Sequence, residues 1–144
     1  MVVVVAHITV VPGCEAMFER AARELTTQTL ARERGIRRYE YLRLSDTGSY
    51  QATLAFVDYD AFLEHQASQH HFVIAGAMGD MIASLRLERV DPVPGCSALG
   101  APPTDGALEP AAIEPVDDSV LIARRDHYQE RYPLDPAQWW VATR

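Results

Sequence analysis

An α+β fold in ferredoxin-like β-α-β-β-α-β order, built as one half of a dimeric α/β barrel, is expected from this sequence. Three features lead to it. Residues 2–11 alternate as a strand and end at Pro12-Gly13. A helical run over 15–34 stops at Gly35, and two strands, 36–44 and 50–57, flank the turn Ser45-Asp46-Thr47-Gly48-Ser49. A broken helix carrying His65, His70 and His71 then leads into a last strand over 82–90. Such a module leaves a sheet edge and a sheet face uncovered, and a homodimer is expected to cover them.

Each element has its own justification. In the first strand Val2, Val4, Ala6, Ile8 and Val10 share one face, and Val3, Val5, His7, Thr9 and Val11 the other, because strand side chains alternate. The wholly apolar set is expected beneath the helices and the mixed set toward a partner subunit. The first helix carries an apolar stripe of Met17, Phe18, Ala21, Ala22, Leu25, Thr29 and Leu30. Gly35 reads as its C-cap, since glycine tolerates positive φ. The second strand alternates Ile36, Arg38, Glu40, Leu42 and Leu44 against Arg37, Tyr39, Tyr41 and Arg43. The third places Tyr50, Ala52, Leu54 and Phe56 together. Both suit a sheet lying between two different environments.

Residues 1–91 thus form one domain. Residues 92–118 hold most of the prolines and few large apolar side chains, the composition of an extended linker. Residues 119–144 are expected to dock on the barrel through Leu121, Ile122, Tyr128, Tyr132, Trp139 and Trp140. Burying several such side chains offsets the entropy of ordering a short segment.

Composition removes several function classes. The formal net charge of -7 argues against a nucleic-acid partner. All 13 basic residues are arginine, so no lysine can form a Schiff base. No run reaches the length of a membrane helix, and the apolar start, interrupted by His7, reads as a strand rather than a signal peptide. Cys14 and Cys96 are too few for a disulfide framework and lack metal-ligand spacing. A cytoplasmic protein with free thiols, no metal and no membrane partner is expected.

Candidate chemistry gathers on the histidines. A neutral imidazole can take a phenol or α-carbon proton near neutral pH. His70, with His65, is the candidate general base, with helix capping as the other reading of His70 and a surface position as the reading of His71. His7 faces away from the apolar side of its strand, which suits an interface or a ligand contact. Arg43 suits a carboxylate or enolate. Tyr39, Tyr41 and Arg43, taken singly, read first as cross-strand surface pairs. Cys14, beside Gly13 at a helix start, reads as a helix-start residue, and Met78 and Met81 as core.

Residues 6–13, the second-strand pattern and residues 56–70, with the spacing Phe62-x-x-His65-x-x-Ser68-x-His70, resemble the antibiotic biosynthesis monooxygenase family of the dimeric α+β barrel superfamily. The resemblance spans about residues 2–91. It implies a pocket between sheet and helices, and small enzymes that oxidise quinols and anthrones with dioxygen and no bound cofactor, the substrate phenolate supplying the electrons. It also implies a small aromatic or polyketide-like substrate in secondary metabolism, with Phe56, Phe62, Tyr50, Ala52, Arg43 and His7 as substrate contacts. The superfamily includes polyketide cyclases and haem-degrading enzymes as well, so a cyclase or aldol-type catalyst, or a non-catalytic ligand-binding or scaffold protein, stands as the alternative. At the positions where anthrone-oxidising members carry Asn, Trp and Tyr, this chain has Ala52, Phe56 and Phe62, none of which donates a hydrogen bond. Haem-site positions correspond to Ala6, His65 and Ala75, so that version of the site is largely absent.

Overall fold

The computed structural model describes residues 1–93, 96, 111–134 and 141–142. The chain runs β1 (Val2–Val10), α1 (Glu15–Arg32), β2 (Ile36–Arg43), β3 (Ser49–Phe56), α2 (Tyr59–Ala67), α3 (Gln69–Gly79), β4 (Ile82–Val90), α4 (Asp118–Arg131) and β5 (Val141–Ala142). The sheet has the order β2-β3-β1-β4-β5, antiparallel throughout. Its first four strands with α1, α2 and α3 are the ferredoxin-like β-α-β-β-α-β unit, and β5 adds two residues to the β4 edge.

The apolar alternation of β1 places Val2, Val4, Ala6, Ile8 and Val10 in the core, as the pattern predicts. On β3, Tyr50, Ala52, Leu54 and Phe56 join them. The opposite sheet face is mixed, with His7 lying 3.7 Å from Glu88 across the β1–β4 pair.

β2 departs from simple alternation. Its pairing with β3 shifts between Ile36 and Arg38, a bulge that lets Ile36 and Tyr39, three residues apart, both become buried. That shift aims Tyr39 and Tyr41 toward the helices.

The buried stripe of α1 is Phe18, Ala22, Leu25, Gln28 and Thr29. Met17, expected on it, is exposed. Gln28 is buried instead because its amide nitrogen donates to the Ala111 carbonyl (2.8 Å) and to Glu24 (2.7 Å), tying the returning chain to the helix. Gly35 is not a positive-φ cap, since Gly13 (φ 90) and Gly48 (φ 77) hold that conformation. It is required for space: a Cβ there would stand 2.4 Å from the Ala61 Cβ of α2. The chain can pass this close to α2 only without a side chain.

A single residue, Ser68, separates α2 from α3. Its hydroxyl oxygen accepts from the His71 backbone N–H (3.3 Å), and it caps α3. His70 therefore does not serve as the cap.

The stretch 119–132, expected from sequence as a short strand or helix start and then a charged run, is instead the helix α4 (Asp118–Arg131) with its cap Tyr132, begun by the Asp117 side chain accepting from the Ser119 N–H (2.8 Å). α4 packs on α2 and α3. Arg125 pairs with Asp60 (2.6 Å), Arg124 donates to Gln69 (2.9 Å), and the Tyr59 hydroxyl donates to the Tyr132 carbonyl. Tyr132 is buried, with its ring 5.6 Å from that of Phe62. Ile122, expected to dock, is 59% exposed, because the helix turns it to solvent. Trp139 and Trp140 lie outside the described residues. No helix among the described residues is long and apolar enough to cross a membrane.

Candidate active site

A cavity of about 560 Å³ lies between the sheet and the helices. Its floor is the apolar β1 set, Val4, Ala6 and Ile8, with Ala52, Leu54 and Phe56 of β3. The bulged β2 supplies Tyr39 and Tyr41. Phe62, His65 and Gln66 come from α2, and His71, Phe72 and Ala75 from α3. α4 contributes Tyr128 and Arg131, followed by Tyr132. An apolar cleft with a few convergent polar groups is the usual form of a small-molecule site.

Behind the cavity wall sits a buried polar cluster centred on Glu33, which lies just past the end of α1. One carboxylate oxygen of Glu33 is 2.8 Å from His65 Nδ1 and 2.6 Å from His70 Nε2, and the other is 3.1 Å from His65 Nδ1. Burial alone would push this carboxyl up, but the imidazoles of His65 and His70 outweigh it and hold it down at about 2. An ionised carboxylate only accepts hydrogen bonds, so both facing ring nitrogens carry protons. His65 Nε2 then points at the Tyr39 hydroxyl, 3.4 Å away, and in neutral His65 it is the basic nitrogen. Burial first, and the neighbouring Tyr41 second, raise Tyr39 well above the usual phenol range, so it stays a donor. The result is a Glu33–His65–Tyr39 chain whose last two members line the cavity.

His71 also lines the cavity, its ring centroid 4.6 Å from that of His65. Its Nδ1 is buried and makes no hydrogen bond of good geometry among the described residues, the Gln66 backbone being a weak polar neighbour. Burial, reinforced by His65, pushes its imidazole well below the ordinary histidine range and keeps it neutral. The surface role expected for His71 from sequence does not describe this placement.

The sequence-predicted residues divide into three groups. His65, Phe56, Phe62 and Ala52 line the cavity together. His70 stands one layer behind, held by Glu33 and 3.2 Å from the Ser68 hydroxyl. Tyr50 and Arg43 lie at the far end of the sheet, where both bond Glu19 of α1, and His7 is on the opposite sheet face beside Glu88. Sequence reasoning misses Glu33, Arg131 and the cavity-facing role of His71, and assigns Tyr39 and Tyr41 to surface pairs. One signal was available: Glu33 follows the buried Phe18, Ala22, Leu25 and Thr29 at helical spacing, so it had to be buried with partners.

Glu33, His65 and His70 bring one ligand atom each to within 4.8 Å of one another, the makings of a divalent-ion site. The donor set suits zinc or iron, but the spacing does not. Ligands about 2.0–2.2 Å from a tetrahedral metal stand roughly 3.4 Å apart, whereas the Glu33 oxygen sits 2.8 Å from His65 Nδ1 and 2.6 Å from His70 Nε2, in hydrogen bonds to both. The cluster as folded is a hydrogen-bonded one.

Comparison with known proteins identifies the fold and the family. A family model for antibiotic biosynthesis monooxygenases matches residues 1–75. Among solved structures, a Caulobacter crescentus protein classed with these monooxygenases aligns at 28% identity and TM-score 0.62, covering 64% of this chain and 89% of its own. SnoaB from Streptomyces nogalater, a cofactor-independent oxygenase crystallised as a point mutant, aligns at 29% identity and TM-score 0.55, covering 63% and 91%. A Nitrosomonas europaea protein at 18% identity and TM-score 0.60 shares the fold, covering 65% and 99%. No curated protein matches the chain. With the family model spanning more than half of the sequence, the chain belongs to the antibiotic biosynthesis monooxygenase family.

Proposed function

We propose that this protein is a small cofactor-independent oxygenase acting on a phenolic, polyketide-like aromatic substrate bound in the cavity. The observation that carries the proposal is the Glu33–His65 pair set against an apolar cleft, with Tyr39 beside His65 on the cavity wall. His65 takes the substrate proton through or beside the Tyr39 hydroxyl, and Glu33 stabilises the imidazolium that forms. His70, bonded to the same carboxylate oxygen, positions Glu33. The substrate carbanion passes one electron to dioxygen, the radical pair joins as a peroxide anion, and the His65 imidazolium returns its proton to give the hydroperoxide. Loss of water then turns the substrate CH₂ into C=O, so one oxygen atom ends in product and one in water. The likeness to a cofactor-independent oxygenase supports this reading.

A second reading, a polyketide cyclase or aldol-type catalyst, draws support from Ala52 and Phe56 on the cavity floor, which offer no hydrogen bond to an oxygen intermediate. Oxygen-electrode assays with a reduced anthrone, followed by product mass, separate the two. Uptake with gain of oxygen supports the first, and loss of water without uptake the second. His65→Ala should lower turnover by about 10²–10⁴-fold, and His70→Ala by less. Full activity in the His65 variant would remove it as base.

The mixed outer sheet face, with Val3, Val5, His7 and Thr9, is proposed to meet a second copy of the chain. Light scattering at micromolar concentration should give twice the 16.0 kDa chain mass; a monomer mass there would refute the dimer.

A further inference from the structure

Arg131 is the single charged side chain among the described residues lining the cavity, which otherwise holds aliphatic, aromatic, histidine and glutamine groups. It comes from α4, beyond the stretch matched by the family model. It forms no ion pair among the described residues, in contrast to Arg125 on the same helix, which is paired with Asp60. Its guanidinium carbon sits 5.5 Å from the Tyr132 ring centroid. Tyr132 in turn stacks on Tyr128, their planes 9° apart and centroids 6.1 Å apart. A flat aromatic ledge thus ends in a cation that no carboxylate among the described residues holds.

We propose that Arg131 is a specificity-determining residue that reads an anionic substituent, a carboxylate, on a fused aromatic ligand whose rings lie in the cleft. Three physical points support this. A guanidinium matches a carboxylate with two parallel hydrogen bonds, which a neutral group cannot reproduce. Among the described residues no Asp or Glu lines the cleft to compete for Arg131. The protein's net charge of -7 repels anions in general, so a preference for an anionic ligand has to come from a local cation. The ledge and the cation are placed together because Tyr128, Arg131 and Tyr132 fall at i, i+3 and i+4, one face of the helix and its end.

This inference names the ligand class for the proposed oxygenase site and rests on that cleft being the binding site. The test is equilibrium binding, read by fluorescence or calorimetry, of anthraquinone-2-carboxylate and its neutral twin anthraquinone-2-carboxamide to the full chain. The carboxylate should bind about tenfold tighter or better. Arg131→Ala should abolish the preference while leaving carboxamide affinity within about twofold, and Arg131→Lys should keep part of it. Arg131 is exposed, so the variants are expected to fold, which circular dichroism checks. Equal affinities in the wild type, an unchanged preference in Arg131→Ala, or no binding of either compound overturns the inference. Carboxylate-selective binding without oxygen uptake from a carboxylated anthrone would leave Arg131 in its role and remove the oxygenase reading instead.

Discussion

Two carboxylates, Glu33 just past the end of α1 and Glu19 in its second turn, each bridge two partners. Glu33 is gripped by His65 and His70, and Glu19 by Arg43 (2.6 Å) and Tyr50 (2.9 Å). Both carboxyls are held down at about 2. The balances behind that shared value differ. At Glu33 burial opposes ionisation and the imidazoles overcome it. At Glu19 the Arg43 and Tyr50 hydrogen bonds dominate over slight desolvation. Glu33 has 13% of its side chain exposed, while the Arg43 partner of Glu19 is 75% exposed. A shared pKa therefore hides unequal worth: water screens one pair, and the other is tied to protonation and packing.

The largest effect should follow Glu33→Ala. Two buried ring N–H groups would lose their acceptor, and each unsatisfied group costs about 1–3 kcal/mol, so a loss of roughly 3 kcal/mol in denaturant unfolding is expected. Glu33→Gln, which keeps one acceptor oxygen, should recover much of it. Identical unfolding midpoints for Glu33→Ala and wild type would show that the cluster does not hold the helices.

The pH dependence comes next. His71 has a depressed pKa in the fold, so the unfolded chain takes up a proton before the folded one does as pH falls below 6.5. Its contribution is present above 6.5 and is lost on acidification. Glu33, lowered from 4.5 to about 2, contributes above 4.5 and loses that contribution between 4.5 and about 2. Denaturant midpoints stepped downward from neutral pH should fall in two stages. His71→Gln should remove the upper stage and Glu33→Gln the lower. A flat profile down to 4.5 would mean that His71 titrates normally.

The smallest effect belongs to Arg43→Ala. The unfolding midpoint should move little, and the shift should vanish at about 0.5 M salt, where exposed charges are screened. A large, salt-independent loss would erase the distinction between the two carboxylates.

Much of this architecture is legible because it follows from local periodicity. Period-two alternation in β1 and β3, the helical stripe of α1, and turn residues such as Gly48 report burial one element at a time. His65, Phe56 and Phe62 are found for the same reason, since they lie on the faces those periods aim at the core. The β2 bulge is not legible, because one extra residue reverses alternation without leaving a mark in residue type. Simple alternation therefore sends Tyr39 and Tyr41 to surface pairs, where the bulge turns them to the cavity.

Local pattern alone was enough for the β-α-β-β-α-β order, the faces that β1 and β3 bury, and a histidine-bearing helix break over those faces. Which histidine meets the cavity and which stands behind a carboxylate came from the packing of distant elements, because Glu33 lies 32 residues from His65 and 37 from His70. Packing likewise made Gly35 serve close approach to Ala61 rather than positive φ, and brought Arg131 to the cleft. The reason is physical. Periodicity reports which side of an element is buried, whereas the identity of the buried partner depends on how separate elements meet.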